Sequence, residues 1–381
     1  MKSDSLEQKS LIILSILIVS GLYLLSSCKT SQYVSKSQNS APARYRMGYD
    51  DSTLAKNTLP LLMPYNKIIN PAGKVIRYGD PDLENHALNC TFDPKQKYLA
   101  VIDRYGLAMI NPNSNAIIDR LDYTHQKKLK SYENTFSGLT WYQRNDSSFV
   151  LSSVVDSRNS HSYVLMFYWD GKHLKLTHKF RLPAQSPAPV ALPNALAVSH
   201  EGGRDYLFVV CNGNNTLVKF NLQTGKKVWS KPTGMVPYGL TIAGHKIYVS
   251  NWGGARPTKA STPTAGAPWG AIQVDTTTGA ASSGTVSVLN LENGNQITEI
   301  PVGLHPNDII SNKTGTRVYV ANGNSGTVSV INTNTDQVAH TIPVKLFQKG
   351  QSFYGDTPNA LALSDDGQTL YVANGMDDAI A

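Results

Sequence analysis

The sequence has few cysteines, few charged residues and no metal-binding spacing. Its 381 residues include 3 cysteines and no CxxC or His-rich tract, which argues against a disulfide framework and leads us to expect no metal and no cofactor. Charged residues make up 16% of the chain, and the excess of 35 basic over 27 acidic residues is scattered. Because a nucleic-acid interface needs grouped positive charge, we expect no nucleic-acid partner.

The sequence also has no apolar run of membrane-spanning length. The longest run extends from Leu11 to Leu25, shorter than the about 20 residues that a bilayer requires, and is typical of a signal-peptide core. It ends in Leu25-Ser26-Ser27-Cys28, which resembles the bacterial lipoprotein cleavage box, in which the cysteine becomes lipid-modified. We therefore predict a signal peptide over 1–28, a lipid on Cys28 and a location in the cell envelope, periplasmic or surface-exposed. An uncleaved N-terminal anchor is the alternative.

The segment after the signal peptide has few apolar residues and no periodicity. Residues 29–58 are rich in Ser, Lys, Gln and Asn, which predicts a flexible tether. The folded domain is predicted over 59–381.

The rest of the chain is rich in β-branched residues that alternate with smaller or polar ones. Arg317 to Val344 contains three such strands, with turn residues at Asn322-Gly323 and near Asp336, and Pro306 to Ile310 adds a fourth. Four antiparallel strands in about 40 residues are typical of one propeller blade. The fold class predicted is therefore all-β, a β-propeller of four-stranded antiparallel blades.

Six copies of this pattern can be aligned. They begin near Ala87, Phe136, Pro193, Pro237, Pro306 and Pro358. Two intervals are longer than a bare blade, and insertions at Gly253 to Ser283 and at Lys345 to Asp356 account for the excess. The sixth repeat is predicted to stop after its second strand. We expect either further sequence or strands near 59–78 to complete the ring, since an unfinished blade leaves an open edge.

Three tetrapeptides resemble the motif of the YVTN-repeat β-propeller family. They are Tyr248-Val249-Ser250-Asn251, Tyr319-Val320-Ala321-Asn322 and Tyr371-Val372-Ala373-Asn374, and Gly326-Thr327-Val328-Ser329-Val330 is similar to that family's third strand. The resemblance covers about 193–381 and is weak over the first two repeats. It implies a seven-bladed propeller, of which six repeats are countable.

A narrower resemblance rests on Pro64-Tyr65-Asn66, the segment Leu83 to Ala87, and NWGG followed by a long insertion. These pieces are similar to bacterial proteins in which this propeller precedes an alkaline-phosphatase-type phosphoesterase domain. The resemblance implies a metal-dependent second domain, but carries none of its metal-binding residues onto this sequence.

The two insertions indicate where a binding site lies. In a propeller, the loop between the second and third strands and the loop into the next blade open on one face, and both insertions are of these types. An aromatic and cationic rim suits a small ligand, a glycan, a protein partner or a following domain. The candidate rim residues are Arg256, Lys259, Trp269, Phe347, Lys349, Phe353, Tyr354 and Asp356. A solvated loop that only caps the channel is the alternative.

Asparagine ends the second strand of four repeats, at Asn212, Asn251, Asn322 and Asn374. We interpret these residues as turn formers that tolerate positive φ, in preference to ligand contacts. His161 and His305 lie in turns without a carboxylate at motif spacing, which favours ordinary polar residues over catalytic ones. We predict no catalytic residue.

Three functions remain open. The first is a non-catalytic, lipid-anchored binding propeller that presents its insertion-bearing face. The second is the accessory propeller of a metal-dependent phosphoesterase. The third is a lactonase-like hydrolase, since lactonase propellers share this fold; it requires carboxylate, histidine or metal groups converging on the channel.

Overall fold

The structure is a computed structural model that describes residues 61–62, 68–69, 73–76, 83, 86–260, 263–267, 270–345 and 356–381. It divides into two compact units, 1–76 and 77–381. In the first unit, β1 (Leu61–Leu62) and β2 (Ile68–Ile69) form an antiparallel pair. The predicted signal peptide, the lipid site Cys28 and the tether lie outside the described residues. Within these ranges, no helix has the length and apolar character needed to cross a bilayer.

The second unit contains six consecutive antiparallel sheets, which we number as blades 1 to 6. Blade 1 comprises β3 (Ala87–Phe92), β4 (Leu99–Asp103), β5 (Gly106–Asn111) and β6 (Ala116–Asp122). Blade 2 comprises β7 (Tyr132–Arg144), β8 (Ser147–Asp156), β9 (His161–Trp169) and β10 (Leu174–Leu182). Blade 3 comprises β11 (Pro193–Glu201), β12 (Arg204–Cys211), β13 (Thr216–Asn221) and β14 (Lys227–Pro232). In each, the strands pair in chain order.

Blade 4 contains the first predicted insertion. It comprises β15 (Met235–Ala243), β16 (Lys246–Gly254), β19 (Gly284–Asn290) and β20 (Gln296–Val302). Between β16 and β19, the insertion forms a separate hairpin of β17 (Thr264–Ala267) and β18 (Gly270–Gln273). The insertion thus lies between the second and third strands, as its sequence position predicted.

Blades 5 and 6 follow the same order. Blade 5 comprises β21 (Pro306–Ser311), β22 (Arg317–Asn322), β23 (Thr327–Asn332) and β24 (Gln337–Pro343). Blade 6 comprises β25 (Pro358–Leu363), β26 (Leu370–Asn374) and β27 (Ala379–Ile380). The prediction that repeat six stops after its second strand is wrong, because Asp378 turns the chain at a φ of 52° and β27 pairs with β26.

Successive blades pack through their first strands. β7 contacts β3 and β11, β15 contacts β11 and β21, and β21 contacts β25. Each regular element among the described residues is a β-strand. The all-β propeller prediction is confirmed, with five four-stranded blades and one three-stranded blade described against the seven blades that the resemblance implies.

The hydrophobic core consists of five clusters, each shared by two consecutive blades. Between blades 4 and 5, for example, Tyr248 and Val286 pack against Val320 and Ile331. Because both faces of a middle blade are covered, its second and third strands are apolar almost without interruption, as in β12 and β22.

The outer faces of the first and last blades are more exposed. The first tyrosine of the YVxN motif is 0% exposed at Tyr248, 8% at Tyr319 and 49% at Tyr371 in blade 6. On blade 1, Phe92 is 51% exposed and Cys90 is exposed, whereas Cys211, in blade 3, is buried. A motif residue is therefore buried where another blade covers it.

Candidate functional site

One end of the propeller brings together the loops after the second strands and the segments before the first strands. We term this end the loop face. Backbone hydrogen bonds join the two in blades 3, 5 and 6: Gly213 donates to Ala191 (3.0 Å), Gly323 to His305 (2.9 Å) and Gly375 to Thr357 (3.0 Å). These bonds hold each loop against the start of its own blade, which gives the face a fixed backbone frame.

The glycines of the Asn-Gly pairs allow this close approach. A Cβ at Gly213 would lie 2.1 Å from the Val190 carbonyl oxygen, and one at Gly375 would lie 2.6 Å from Asn359 Nδ2. The left-handed residues of these loops come later, at Asn215 (φ 53°) and Gly326 (φ 60°). The positive-φ interpretation of the asparagines is therefore wrong for Asn212, Asn251, Asn322 and Asn374, none of which has a positive φ, and the glycines after three of them serve backbone contact.

The asparagines that end the second strands are buried structural groups. Asn322 Nδ2 donates to Ser329 Oγ (2.9 Å), and Asn251 Nδ2 donates to Ser287 Oγ (2.9 Å), in each case on the third strand of the same blade. Asn212 Nδ2 instead donates to the Pro237 carbonyl of the next blade (2.8 Å). Their structural role is confirmed, but the partners are third-strand hydroxyls and neighbouring blades instead of their own turns.

A second set of asparagines ties the first strands together close to the axis. Asn194 Nδ2 donates to the Tyr238 carbonyl (3.1 Å) and its Oδ1 accepts from the Ser137 amide (2.9 Å), so it links blade 3 to blades 2 and 4. Asn307 Nδ2 donates to the Pro358 carbonyl in the same way (3.1 Å). We term this set the asparagine ladder. It makes the innermost strands a rigid support for side chains on the loop face.

The residue before each repeat proline adopts a left-handed conformation. The φ angles are 48° at Leu192, 54° at Val236, 55° at His305 and 45° at Thr357. For β-branched Val236 and Thr357 this region is strained, at roughly 1–2 kcal/mol each. Because this left-handed conformation recurs before the repeat proline in four blades, the backbone of the loop face is constrained, as the backbone of a binding site commonly is.

Four aromatic rings meet at the axial part of this face. Tyr238 and Trp252 stack with centroids 4.3 Å apart, and the His305 ring lies edge-on to Trp252 at 4.4 Å. The Phe136 ring lies 6.4 Å from both Tyr238 and Trp252. Phe136 lies within the register shift of β7 between Asn134 and Leu139, and its side chain is 50% exposed. We term these four residues, which come from blades 2, 4 and 5, the axial aromatic cluster.

Burial keeps the rings of this cluster uncharged. It lowers the pKa of His305 and raises the pKa of Tyr238, so near neutral pH the imidazole is unprotonated and the phenol protonated. The indole Nε1 of Trp252 is buried without a hydrogen-bond partner among the described residues. The cluster therefore offers an apolar stacking surface.

A cleft of about 680 Å³ opens beside the cluster, where the blade 4 insertion meets the loops of blade 3. Arg256 is the only charged residue among the described residues that line the cleft. The Arg256 Nε donates to the Thr233 carbonyl and the Nη2 to the Asn215 carbonyl, both at 2.7 Å. We term this pocket the Arg256 cleft. Its lining consists of Gln185, Ser186, Pro187, Gly213, Asn214, Asn215, Thr216, Ser230, Pro232, Met235, Arg256, Pro257, Gly270 and Ala271. Met235, in the cleft lining, is three residues from Tyr238 along β15, so one strand carries residues of both the cleft and the cluster.

The predicted rim residues differ in their placement. Arg256 lines the cleft, and Lys259 is exposed near the start of the insertion. Asp356 is buried beside Gly326. The other five predicted rim residues lie outside the described residues: Trp269, Phe347, Lys349, Phe353 and Tyr354.

Sequence analysis missed Phe136, Tyr238 and Trp252 as site residues. Phe136 belongs to the most diverged repeat, and Trp252 was taken only as part of a motif. One signal was present: Tyr238 follows a repeat proline at the position where Asn194 and Asn307 follow theirs. Among the residues with described positions, no group of three or more His, Cys, Asp or Glu side chains could hold a metal ion.

No protein-family model matches the chain, and no curated protein matches it in sequence. In structure it is similar to U3-55K, with a TM-score of 0.52 and 15% identity over 81% of this chain and 78% of that one. It is also similar to dihydro-heme d1 dehydrogenase NirN in complex with DHE (TM-score 0.45, 13% identity, 74% of this chain) and to Kluyveromyces lactis Hsv2 (TM-score 0.44, 13% identity, 76% of this chain). The match spans 51% of the NirN chain and 71% of the Hsv2 chain. The likeness to U3-55K shows the propeller fold alone.

Proposed function

We propose that this protein is a non-catalytic binding propeller of the YVTN-repeat type, anchored at the cell envelope by a lipid on Cys28, whose loop face binds a ligand. The axial aromatic cluster carries the proposal. An aromatic side chain as exposed as Phe136, next to a stacked pair of rings, leaves apolar surface in water that a ligand ring can cover.

The backbone that carries the axial aromatic cluster is held in place by hydrogen bonds, which favours binding. The asparagine ladder holds the backbone at Ser137, next to Phe136, and at Tyr238, and the Asn251 side chain, next to Trp252, donates to Ser287. A site that is already ordered loses little conformational entropy when a ligand arrives, so more of the contact energy becomes affinity. An uncharged aromatic surface beside a polar cleft suits a ring-shaped ligand with polar substituents.

The other two functions stay predictions. The accessory role in a phosphoesterase concerns a domain that this sequence does not contain, and the lactonase-like activity needs converging catalytic groups. No described contact favours either.

Replacing Phe136 by serine is expected to weaken ligand binding about tenfold, because a stacking ring is worth about 0.5–1.5 kcal/mol beyond the apolar area that it covers. Binding of the full chain would be measured by surface plasmon resonance against immobilised neutral and acidic oligosaccharides and solubilised envelope polysaccharide. Phe92→Ser is the matched control, since Phe92 is equally exposed but lies on the outer face of blade 1. Equal losses in both variants, or no binding by the unmodified chain, would contradict the proposal.

Replacing Cys28 by serine is expected to abolish lipid attachment and to release the protein from the membrane fraction, because acyl chains contribute about 0.8 kcal/mol of membrane binding per buried methylene. The measurement is incorporation of an alkyne-labelled fatty acid during expression in a bacterial host, followed by fractionation. Cys90→Ser controls for labelling at another exposed thiol. Label retained by the Cys28→Ser chain would disprove the lipid site.

A further inference from the structure

The Arg256 cleft presents a cation that forms no ion pair with a described carboxylate. The guanidinium has five N–H donors, of which Nε and one on Nη2 are used by the Thr233 and Asn215 carbonyls. The other donors, including both on Nη1, make no hydrogen bond within the described residues. Two bonds of 2.7 Å hold the group, and its remaining donors can serve an acceptor.

The guanidinium is held in place but is not buried. The Arg256 side chain is exposed, so its charge is accessible from the cleft. Partial removal from water lowers the pKa of Arg256 and the charge of Glu299 raises it, and the group stays charged near neutral pH. No acidic side chain is among the described residues that line the cleft. An anion that enters the cleft can therefore form charge-assisted hydrogen bonds with Arg256.

The remaining walls resemble a carbohydrate site. Asn214 is fixed by two hydrogen bonds, accepting from the Gln185 amide (2.9 Å) and donating to the Pro183 carbonyl (3.0 Å). Ser230 Oγ is buried in the wall with no partner in the described part of the chain. Hydroxyl and amide groups around one charge suit a ligand that carries many hydroxyls, and the axial aromatic cluster, which shares β15 with the cleft, suits a sugar-ring face.

The charge of the site favours a carboxylate. A phosphate dianion is usually held by several cations or a set of backbone amides, whereas one guanidinium matches the single charge and planar geometry of a carboxylate. In the part of the lining that the structure describes, Arg256 is the only cation. The volume of about 680 Å³ lies within the range of about 300–1,000 Å³ found for small-ligand sites.

We propose that the Arg256 cleft binds the carboxylate of an acidic sugar of the uronic-acid class, with an adjoining sugar ring directed toward the axial aromatic cluster. This rests on the proposed binding function of the loop face. It adds the class of ligand and the residue that selects it.

The test compares digalacturonic acid with its neutral analogue of two galactose units, which differ at the carboxylate. Isothermal titration calorimetry on the full chain is expected to give at least tenfold tighter binding of the acid, with affinity falling as salt rises. Arg256→Gln is expected to reduce binding of the acid to that of the neutral sugar. Diglucuronic and dimannuronic acids extend the comparison across the class.

Because Arg256→Gln also removes two bonds to carbonyls, a second variant is needed. Ala271→Asp places a carboxylate at an exposed position of the cleft lining without removing a contact, and Ala271→Asn is its uncharged match. Loss of binding of the acid in Ala271→Asp but not in Ala271→Asn supports the proposal. Retained binding of the acid in both Arg256→Gln and Ala271→Asp overturns it.

Other outcomes separate this proposal from the binding function itself. Equal binding of acid and neutral sugars, both weakened by Phe136→Ser, overturns the acidic-sugar assignment and leaves the binding function standing. If sulfate binds as tightly as the uronic acids, the acidic-sugar assignment is overturned, because the cleft is then a simple anion site. No binding of any uronic acid also overturns it, while the wider oligosaccharide panel still tests the loop face.

Discussion

Replacing Gly213 by alanine is expected to lower the free energy of unfolding by about 3 kcal/mol, at the upper end of overpacking substitutions. The added Cβ would lie 2.1 Å from the Val190 carbonyl oxygen and 3.1 Å from that of Ala191, where the Gly213 amide also donates a hydrogen bond. The obstacles are backbone atoms, so no side-chain rotation can relieve the clash. The loop must move away from the start of blade 3, which breaks a contact of the loop-face frame.

Gly266→Ala is the matched control. A Cβ there meets nothing within 4 Å, so the substitution should leave stability nearly unchanged. Both variants would be compared with the unmodified chain by thermal unfolding followed by circular dichroism and by urea denaturation. An unfolding free energy for Gly213→Ala within about 1 kcal/mol of that for Gly266→Ala would show that the loop is not held as described.

Replacing Lys219 by alanine is expected to cost about 3 kcal/mol, at the lower end of the range for breaking a buried ion pair, because its partner remains partly hydrated. Lys219 is buried in blade 3, and its Nζ donates to Glu201 (2.9 Å) and to the Leu291 carbonyl (3.0 Å) of blade 4. It also lies 4.1 Å above the centre of the Tyr206 ring. Alanine would remove all three interactions and leave a cavity between two blades.

A set of variants separates charge from packing at this position. Lys219→Met keeps most of the side-chain volume, and combining it with Glu201→Gln removes the unpaired charge, so the double variant should recover part of the loss. Lys227→Ala, on the exposed outer strand of the same blade, should have little effect. Unfolding free energies from urea denaturation would be compared. A cost for Lys219→Ala no larger than that for Lys227→Ala would contradict the assigned role.

The middle blades could be predicted from the sequence because their strands and turns are locally encoded. In blade 5, apolar runs separated by glycine and asparagine turns predict β22 and β23 almost to the residue. Blade 2 was harder to delimit: its first strand is thirteen residues long, begins at Tyr132 and contains a register shift. A bulge depends on cross-strand pairing, which a single sequence does not show.

The candidate site could be predicted only in part, because it depends on contacts between distant segments. Arg256 was found because it lies in an insertion that is visible from repeat spacing. Phe136 could not be found, since it joins Tyr238 and Trp252 only when blades 2 and 4 are placed around an axis.

The axial aromatic cluster takes its rings from blades 2, 4 and 5, with blade 3 between the first two. A ligand that touches Phe136 and Trp252 together binds only when these blades keep their native arrangement. By thermodynamic linkage, its binding free energy then adds to the resistance of the propeller against separation of its blades. A ligand bound to the loop face would thus hold blades 2, 4 and 5 in their native arrangement, and the free energy of unfolding of the protein would rise with the ligand concentration.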